Sequence, residues 1–550
     1  MERDVANILP TELWTVIFQM LSGNEIRAMR LVNKQFHHLT QPFFWKSLKL
    51  CSLNSGAEEK ARTIIRNPHL GAYTRHLILQ PSSWAHPVGP TTWVPTNLWV
   101  RNYSRRNILD RFRIDWVDWD HPTSSFQIFR RSRKSIQTAI NAISLLPNLL
   151  KLTIFMDFFM EPRPNPEPYR KLWSGLKASQ LRCLCLTFRS GSSVQVIADA
   201  IRSVTQAVGA SSVRGKGSTS TTSRSSLVFQ QLEMLDLNVS TAPNGYSVVD
   251  DFARDIQTIV DLGRSSIQSL RILYFATQFG DWAQPYLEAF FGGLGLFPRL
   301  QHIDYRTLGN YNYECFKRFL TRHSSTVVRL RLTGIQERLF SLATFKPKAS
   351  WLNPEKDQIS DTRPLFKFTH LALMVQKGYF LFPPLTLDLS RFADTLTTLV
   401  LSEIGWKYAR GHGYTYQDIE FLIRSLERPL HSGVLLERFC LSIATLSPEL
   451  FDLMAEYLVN LRDLELRYAV LVDHKDQGET KGSETLFLQR MEAREYPNWC
   501  LQSIQIYAFP QQKPVHNVQL MGLLAAKIPS IRKRGKIDWS DVCIRFDSYL

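Results

Sequence analysis

The sequence predicts an α/β protein in which three short amino-terminal helices precede a long array of repeated strand–helix units. Three observations indicate this fold. Apolar residues have helical spacing in the first fifty residues, a short apolar motif recurs along the rest of the chain, and helical spacing returns between its copies. At 550 residues the chain is too long for one compact core, so we expect several domains or one extended repeat array.

The first fifty residues are predicted to form three helices. Pro10 suits the first turn of a helix, and Asn24 and Asn33 are predicted to cap the second and third helices, with Pro42 ending the third. Apolar residues with helical spacing follow Pro10 at Leu13, Val16, Ile17, Met20 and Leu21. Three short helices bury little core, so part of this apolar surface is expected to need a partner.

Behind these helices the apolar pattern L-x-x-L-x-L recurs, with starts 25 to 51 residues apart. The copies begin at Leu149, Leu181, Leu232, Ile267, Leu300, Val327, Phe368, Leu396, Leu436, Leu461 and Leu501, and Leu77 with Leu79 forms a degenerate early copy. One strand and one helix cannot cover their own apolar side, so the units are predicted to stack, with parallel strands inside and helices outside. The irregular spacing leaves a doubly wound sheet as the alternative.

The amino-terminal segment resembles the F-box family. The matching residues are Leu9-Pro10-Thr11-Glu12-Leu13, Ile17, Leu21, Ile26, Leu31-Val32-Asn33-Lys34-Gln35-Phe36 and Trp45, with Asn33 and Phe36 departing from the family's common residues. The repeats resemble the leucine-rich repeat arrays of F-box proteins. The resemblance implies a three-helix F-box at 1–50 and a repeat solenoid at 131–550. The segment at 51–130, with the early repeat and a Trp-rich insertion, is predicted to connect the two. The Gly-, Ser- and Thr-rich composition of 209–226 predicts a disordered insertion in the solenoid.

The resemblance also implies a function, the recognition of substrates within an SCF-type ubiquitin ligase. The adaptor-binding residues it implies are Leu9, Pro10, Leu13, Ile17, Leu21, Ile26, Leu31, Val32, Phe36 and Trp45. They would contact a Skp-type adaptor and so join the chain to a cullin ligase complex. In that family the transfer of ubiquitin belongs to other subunits, so the chain is expected to have no catalytic residues. A helical cap on the repeats, with no partner, is the alternative for this segment.

Composition and motifs exclude several other classes of protein. The seven cysteines form no CxxC pair, which argues against a disulfide framework and a zinc module. The sequence contains no secretory signal pattern and no run of 18 apolar residues that could span a bilayer, so we expect a cytoplasmic or nuclear protein. Asp115, Asp118 and Asp120 fit no calcium loop, and the glycines at 292–295 follow a helix instead of a strand. We therefore expect no metal, no cofactor and no enzyme activity.

The substrate is predicted to be a protein segment that is acidic or phosphorylated. Residues that alternate with the core leucines face the inner wall of a stacked array, and on three neighbouring repeats several of them are basic. These predicted substrate-binding residues are Arg271, His302, Arg306, Arg329 and Arg331. The net charge of +17 has the same sign. The alternatives are a basic repeat protein that binds nucleic acid, a non-ligase scaffold and an unrecognised hydrolase, although no nucleic-acid-binding motif is present.

Overall fold

The structure is a computed structural model of the whole chain, and only part of the chain is described. The described residues are 9–51, 55–80, 138, 140–156, 167–176, 180–188, 191–212, 229–239, 249–274, 284–307, 314–333, 367–376, 392, 394–404, 414–426, 434–471, 483–508, 522–531 and 533–534. The predicted Trp-rich insertion and the aspartates at 115–120 lie outside these residues. The predicted domain boundaries at 50 and 130 stay predictions.

The chain forms two compact units. The first consists of Met1–Arg182, Ser192–Leu227 and Lys536–Leu550, and the second of Cys183–Gly191 and Val228–Gly535. The elements of the first unit are α1 (Thr11–Met20), α2 (Gly23–Met29), α3 (Lys34–Trp45), β1 (Ser47–Cys51), α4 (Ser55–Arg66), α5 (Pro68–Gly71), β2 (His76–Gln80), β3 (Lys151–Met156), α6 (Glu167–Gly175) and α7 (Gly191–Ser212). Strand β2 pairs in parallel with β1 on one side and β3 on the other.

Helices α1 to α3 form the amino-terminal part of the first unit around an aromatic core. Trp14 and Phe18 of α1 are buried against Phe36 of α3. The Trp14 and Phe36 rings meet edge to face with their centroids 4.7 Å apart, and the Phe18 ring lies 6.0 Å from Phe36. These three rings hold α1 against α3, because aromatic side chains bury the most apolar area per residue.

Two of the predicted helix boundaries in this region are wrong. Ser22, not Asn24, caps α2: its hydroxyl accepts from the Glu25 backbone N–H, and the Glu25 carboxylate accepts from the Ser22 N–H at 2.6 Å. Pro42 does not end α3, which continues to the buried Trp45. Proline inside a helix costs about 3 kcal/mol, and burial of a large side chain beyond it offsets much of that cost.

Asn33 caps α3 as predicted, since its Oδ1 accepts from the Phe36 backbone N–H at 2.8 Å.

Helix α7 continues to Ser212. The first four residues of the predicted insertion at 209–226 are thus helical, and the rest of that prediction lies outside the described residues. The alanine and valine residues at 207, 208 and 210 continue the apolar pattern of the helix, and 213–228 lie outside the described residues.

The second unit is a solenoid-like array in which strands and helices alternate. Its elements are β4 (Cys183–Phe188), β5 (Met234–Val239), α8 (Val249–Val260), β6 (Ser269–Tyr274), α9 (Gln284–Leu294), β7 (His302–Thr307), α10 (Glu314–Arg322), β8 (Arg329–Thr333), β9 (His370–Gln376), β10 (Thr398–Ile404), α11 (Tyr416–Ser425), β11 (Arg438–Leu446), α12 (Pro448–Tyr457), β12 (Asp463–Leu471), α13 (Ser483–Glu492), β13 (Ser503–Ala508) and β14 (Lys533–Arg534). The pairs from β4 through β14 are parallel and follow chain order.

The parallel sheet with helices on one side confirms the predicted α/β class. Strands that pair in chain order do not fit a doubly wound sheet, whose order reverses at a switch point. The motif leucines are buried on one face of the strands. The helices pack on that face: the Tyr305 ring of β7 stacks on Phe316 of α10 with centroids 4.5 Å apart and meets Phe291 of α9 edge to face.

The recurring motif located the strands of the second unit from β4 to β13, and also β2 and β3 in the first. It did not locate β1 or β14, because Ser47–Cys51 was assigned to the end of the helical segment and Lys533–Arg534 is only two residues long.

Within the described part of the chain, none of the helices has the length and apolar character needed to cross a membrane.

Candidate functional site

An apolar patch lies on the surface of helices α1 to α3. It consists of Leu13, Val16 and Met20 on α1 and of Leu31 and Val32 in the turn between α2 and α3. Their exposed fractions are 49%, 54%, 81%, 87% and 61%. Exposed apolar residues that stand alone are common on proteins, but five of them within one small helical unit are typical of an interaction surface.

The patch exists because α1 is apolar on two sides. One side, with Trp14 and Phe18, fills the aromatic core, and the other carries Leu13, Val16 and Met20 into solvent. A helix that is apolar all round is normally covered on both sides. Leu13, Val16, Ile17, Met20 and Leu21 were predicted to share one apolar face, but the adaptor-binding residues that the resemblance implied include Leu13 and neither Val16 nor Met20.

The structure distributes the predicted adaptor-binding residues between the surface and the core. Pro10, Leu13, Leu31 and Val32 are exposed. The half-buried residues are Leu9, Ile17 and Leu21, which pack against the aromatic core. The buried residues are Ile26, Phe36 and Trp45.

A polar strand face lies on the second unit, opposite the helices. We use this name for the side chains that alternate with the buried leucines on β4 to β13. The parallel register brings His302, Arg329 and His370 side by side, and in the next row it brings Asp236, Arg271, Asp304 and Arg331 together. Neighbouring strands are about 4.8 Å apart, so side chains within one row contact each other or one shared ligand.

Two of the predicted substrate-binding arginines pair with carboxylates on this face. Arg306 donates to both oxygens of Asp304, at 3.2 and 2.9 Å. Arg271 lies between Asp236 and Asp304, with nitrogen-to-oxygen distances of 3.6 Å to each. The predicted arginine-rich arc therefore has mixed charge, because the register places an aspartate beside each of these two arginines. The sequence analysis did not weigh the contribution of Asp236.

Arg329 differs from these arginines. It is exposed and makes no ion pair with any described residue, and the imidazoles of His302 and His370 flank it in register. Burial, together with the Arg329 charge, lowers the pKa of His302, and the same two causes lower the pKa of His370 to about 4. Both imidazoles are therefore neutral near pH 7, and each then has a single N–H donor.

His370 was not among the predicted site residues, although its position alternates with Leu371 in the repeat that begins at Phe368. The predicted basic residues lie on three neighbouring repeats, and His370 lies on the strand that follows them. The distance from Val327 to Phe368, 41 residues, hid the fact that β8 and β9 are paired.

A second polar group lies on the same face at β10 to β13. Its side chains are at most 5% exposed, and each has a polar atom without a hydrogen-bond partner: Ser402, Ser442, Glu465, Ser503 and Gln505. Glu465 and Gln505 are register neighbours. Buried side-chain oxygens and nitrogens in folded proteins are nearly all hydrogen-bonded, so each of these atoms has an unused capacity to donate or accept a hydrogen bond.

Comparison with known proteins gives little independent information. No known protein family matches the sequence, and no curated protein matches it. Among solved structures, the chain is similar to a chain in the crystal structure of the Rad7 and Elc1 complex in yeast, with a TM-score of 0.32 and 12% identity. The alignment covers 88% of this chain and 89% of that chain. A likeness at this TM-score establishes neither a shared fold nor a shared role.

Proposed function

We propose that the chain is the substrate-recognition subunit of an SCF-type ubiquitin ligase. The apolar patch docks a Skp-type adaptor, and the polar strand face binds the target protein. The observation that carries the proposal is the exposure of the five patch side chains on the segment that resembles an F-box.

The energetics of the patch support a protein partner. Full burial of a leucine, valine or methionine side chain stabilises a complex by about 1.5–3 kcal/mol relative to exposure. The patch has five such side chains on a unit whose own core is formed mainly by Trp14, Phe18 and Phe36. The aromatic core fixes the positions of α1 and α3, so the patch is ordered before binding and loses little conformational entropy when a partner covers it.

The polar strand face supports a protein target better than a nucleic acid. A nucleic-acid track needs a continuous run of cations along the phosphates. Here the aspartates at 236 and 304 neutralise two of the arginines, and the available donors are concentrated around Arg329. A local anionic group on a protein segment matches this arrangement, because a guanidinium binds a carboxylate or a phosphate through two parallel hydrogen bonds.

Capture of a purified Skp-type adaptor by the full chain tests the proposal. Leu13→Asp is expected to weaken capture by about 30-fold or more, because a charge would have to be desolvated at the centre of the contact and residues of this kind contribute about 2 kcal/mol or more. Leu296→Asp is the matched control, since Leu296 has a similar exposure of 56% but lies in the second unit.

The control variant should capture the adaptor as the wild-type chain does. Equal capture by the Leu13→Asp chain would remove the adaptor-docking role from the apolar patch. Thermal denaturation of both variants checks that the exposed substitutions leave the fold intact.

A further inference from the structure

Glu465 and Gln505 are held in fixed orientations by neighbours on their own strands. The Glu465 Oε1 accepts from the Arg467 Nε at 2.9 Å, and the Gln505 Oε1 accepts from the Tyr507 hydroxyl at 2.6 Å. The Glu465 carboxyl group also has a hydrogen-bonding neighbour in Cys440, its register partner on β11. The other two atoms, Glu465 Oε2 and Gln505 Nε2, are buried without a partner.

These two atoms form a complementary pair. The carboxylate oxygen of Glu465 accepts a hydrogen bond, and the amide nitrogen of Gln505 donates one. Glu465 and Gln505 face each other in the register of β12 and β13, about 4.8 Å apart. A ligand that satisfies both must present an N–H donor and a carbonyl acceptor within one small group.

The charges around the pair favour a neutral ligand. The Arg467 guanidinium is bonded to Glu465, and Arg438 on the next strand also acts on its carboxyl group. A cationic ligand would meet two guanidinium groups, and an anionic ligand would place its charge against the Glu465 oxygen. A charge of either sign would also have to be desolvated, which costs several kcal/mol.

We propose that Glu465 and Gln505 bind the side-chain carboxamide of an asparagine or glutamine residue in the target protein. The carboxamide NH₂ donates to Glu465 Oε2, and its oxygen accepts from Gln505 Nε2. The hydroxyls of Ser442 and Ser503 are also buried without partners, in the rows on either side of this pair on the same face. Arg467 is one-third exposed and Tyr507 is half-buried, and the register places these two side chains one row beyond the pair.

The assignment to a target protein rests on the proposed function, because the site shares the polar strand face with Arg329. It adds to that function the chemical class of one group that the chain recognises on its target. A neutral carboxamide is recognised at β12 and β13, apart from the anionic group expected at β7 to β9. A site that hydrogen-bonds an amide on both sides rejects an acid of the same shape, because one buried polar atom would then remain unpaired.

Ligand-observed NMR with the full chain tests this inference. The probe is Nα-acetyl-L-glutamine methylamide, and the controls are the corresponding glutamate and lysine compounds. We expect saturation transfer to the glutamine probe and about tenfold less to either control, because an unmatched buried donor or acceptor loses its full hydrogen bond.

Exchanging the two residues provides the decisive variants. Glu465→Gln alone and Gln505→Glu alone should each weaken probe binding by about tenfold or more, since each leaves two like groups facing the carboxamide. The double variant keeps one carboxylate and one amide in exchanged positions, so it should restore binding of the probe in the reverse orientation.

Absence of saturation transfer to the glutamine probe on the wild-type chain would overturn the inference. Equal transfer to the glutamate compound, or a double variant that stays as weak as the single ones, would also overturn it. Adaptor capture by the same variants separates this result from the proposed function. Capture that depends on Leu13 but not on Glu465 leaves the receptor role standing when the carboxamide site fails.

Discussion

Gly293 lies in the last turn of α9 against the backbone of α8. A Cβ atom at this position would lie 2.4 Å from the Ala253 carbonyl oxygen, whereas a Cβ at Gly292 would have no neighbour within 4 Å. Gly295 then ends the helix with a φ of 64°, in the left-handed region that glycine adopts without cost. The glycine-rich run therefore serves helix packing and helix termination. Its predicted position after a helix is correct only for Gly295, because Gly292 and Gly293 lie within the helix.

Two single substitutions, Gly293→Ala and Gly292→Ala, separate the effect of helix packing from that of helix propensity. Gly293→Ala should lower the free energy of unfolding by about 1–3 kcal/mol, because backbone atoms cannot move aside as a side chain does. Gly292→Ala should raise it by about 0.5–1 kcal/mol, since alanine favours the helix over glycine. Urea denaturation of the two variants measures both changes. Similar values for both would show that α8 and α9 are not in close contact at Gly293.

Individual caps show where prediction from sequence fails at this scale. Asn24 and Ser22 are both good capping residues and lie two positions apart, so composition alone does not decide between them. The structure selects Ser22 because Glu25 stands three residues later and completes the reciprocal pair of hydrogen bonds. That spacing is visible in the sequence, and it is the signal that the prediction overlooked.

The elements divide into those with a distinctive pattern and those without one. Strands from β4 to β13 were predictable because each alternates leucine-like residues with polar ones between turns. The bounds of helix α9 were not predicted, although a helix was expected before the glycines: its segment, QPYLEAFFGGL, combines proline, two glycines and adjacent phenylalanines, which blurs the helical period. Which side of α1 faces inward was equally undetermined, since both sides are apolar and only packing against Phe36 decides.

Basic side chains on neighbouring strands together lower the pKa of His370 on β9. His370 faces Arg329 on β8, His302 on β7 and Arg438 on β11, and its Nδ1 lies 2.8 Å from the Thr369 hydroxyl. Burial and these three basic groups hold its pKa at about 4 in the folded chain, against an ordinary value of 6.5. The folded state therefore takes up a proton at lower pH than the unfolded state does.

This shift predicts a pH dependence of stability. Between pH 6.5 and about 4 the unfolded chain is protonated at His370 and the folded chain is not, so the free energy of unfolding falls as the pH falls through this window. Below about pH 4 both states carry the proton and the loss stays constant. His370→Gln should reduce the loss, as measured by urea denaturation at pH 7 and pH 4.5. An equal loss in both chains would show that the histidine is not held in this row.

At the scale of the whole molecule, the proposed function places two binding surfaces on one chain. The apolar patch belongs to the first unit and the polar strand face to the second. Neither surface contains catalytic chemistry in the proposal. Their joint effect is proximity, since a target held near the ubiquitin carrier makes the transfer nearly intramolecular. With a short connection, the effective concentration of the target reaches roughly the millimolar range.

Arg329→Glu tests whether both surfaces must lie on the same molecule. The variant should keep adaptor binding but lose target capture, and wild-type capture should weaken as salt rises, because an exposed guanidinium acts through a screened charge. Arg322→Glu, at the exposed end of α10, makes the same charge change away from the polar strand face and should have little effect.

Mixing the Arg329→Glu and Leu13→Asp chains then completes the test. Adaptor-coated beads should retain target proteins with the wild-type chain and with neither variant. The mixture should also fail, because one variant reaches only the adaptor and the other only the target, so no single molecule links the two. Target retention by the mixture would show that the chains associate or that the surfaces act separately. Retention by Arg329→Glu alone, insensitive to salt, would place the target contact elsewhere on the chain.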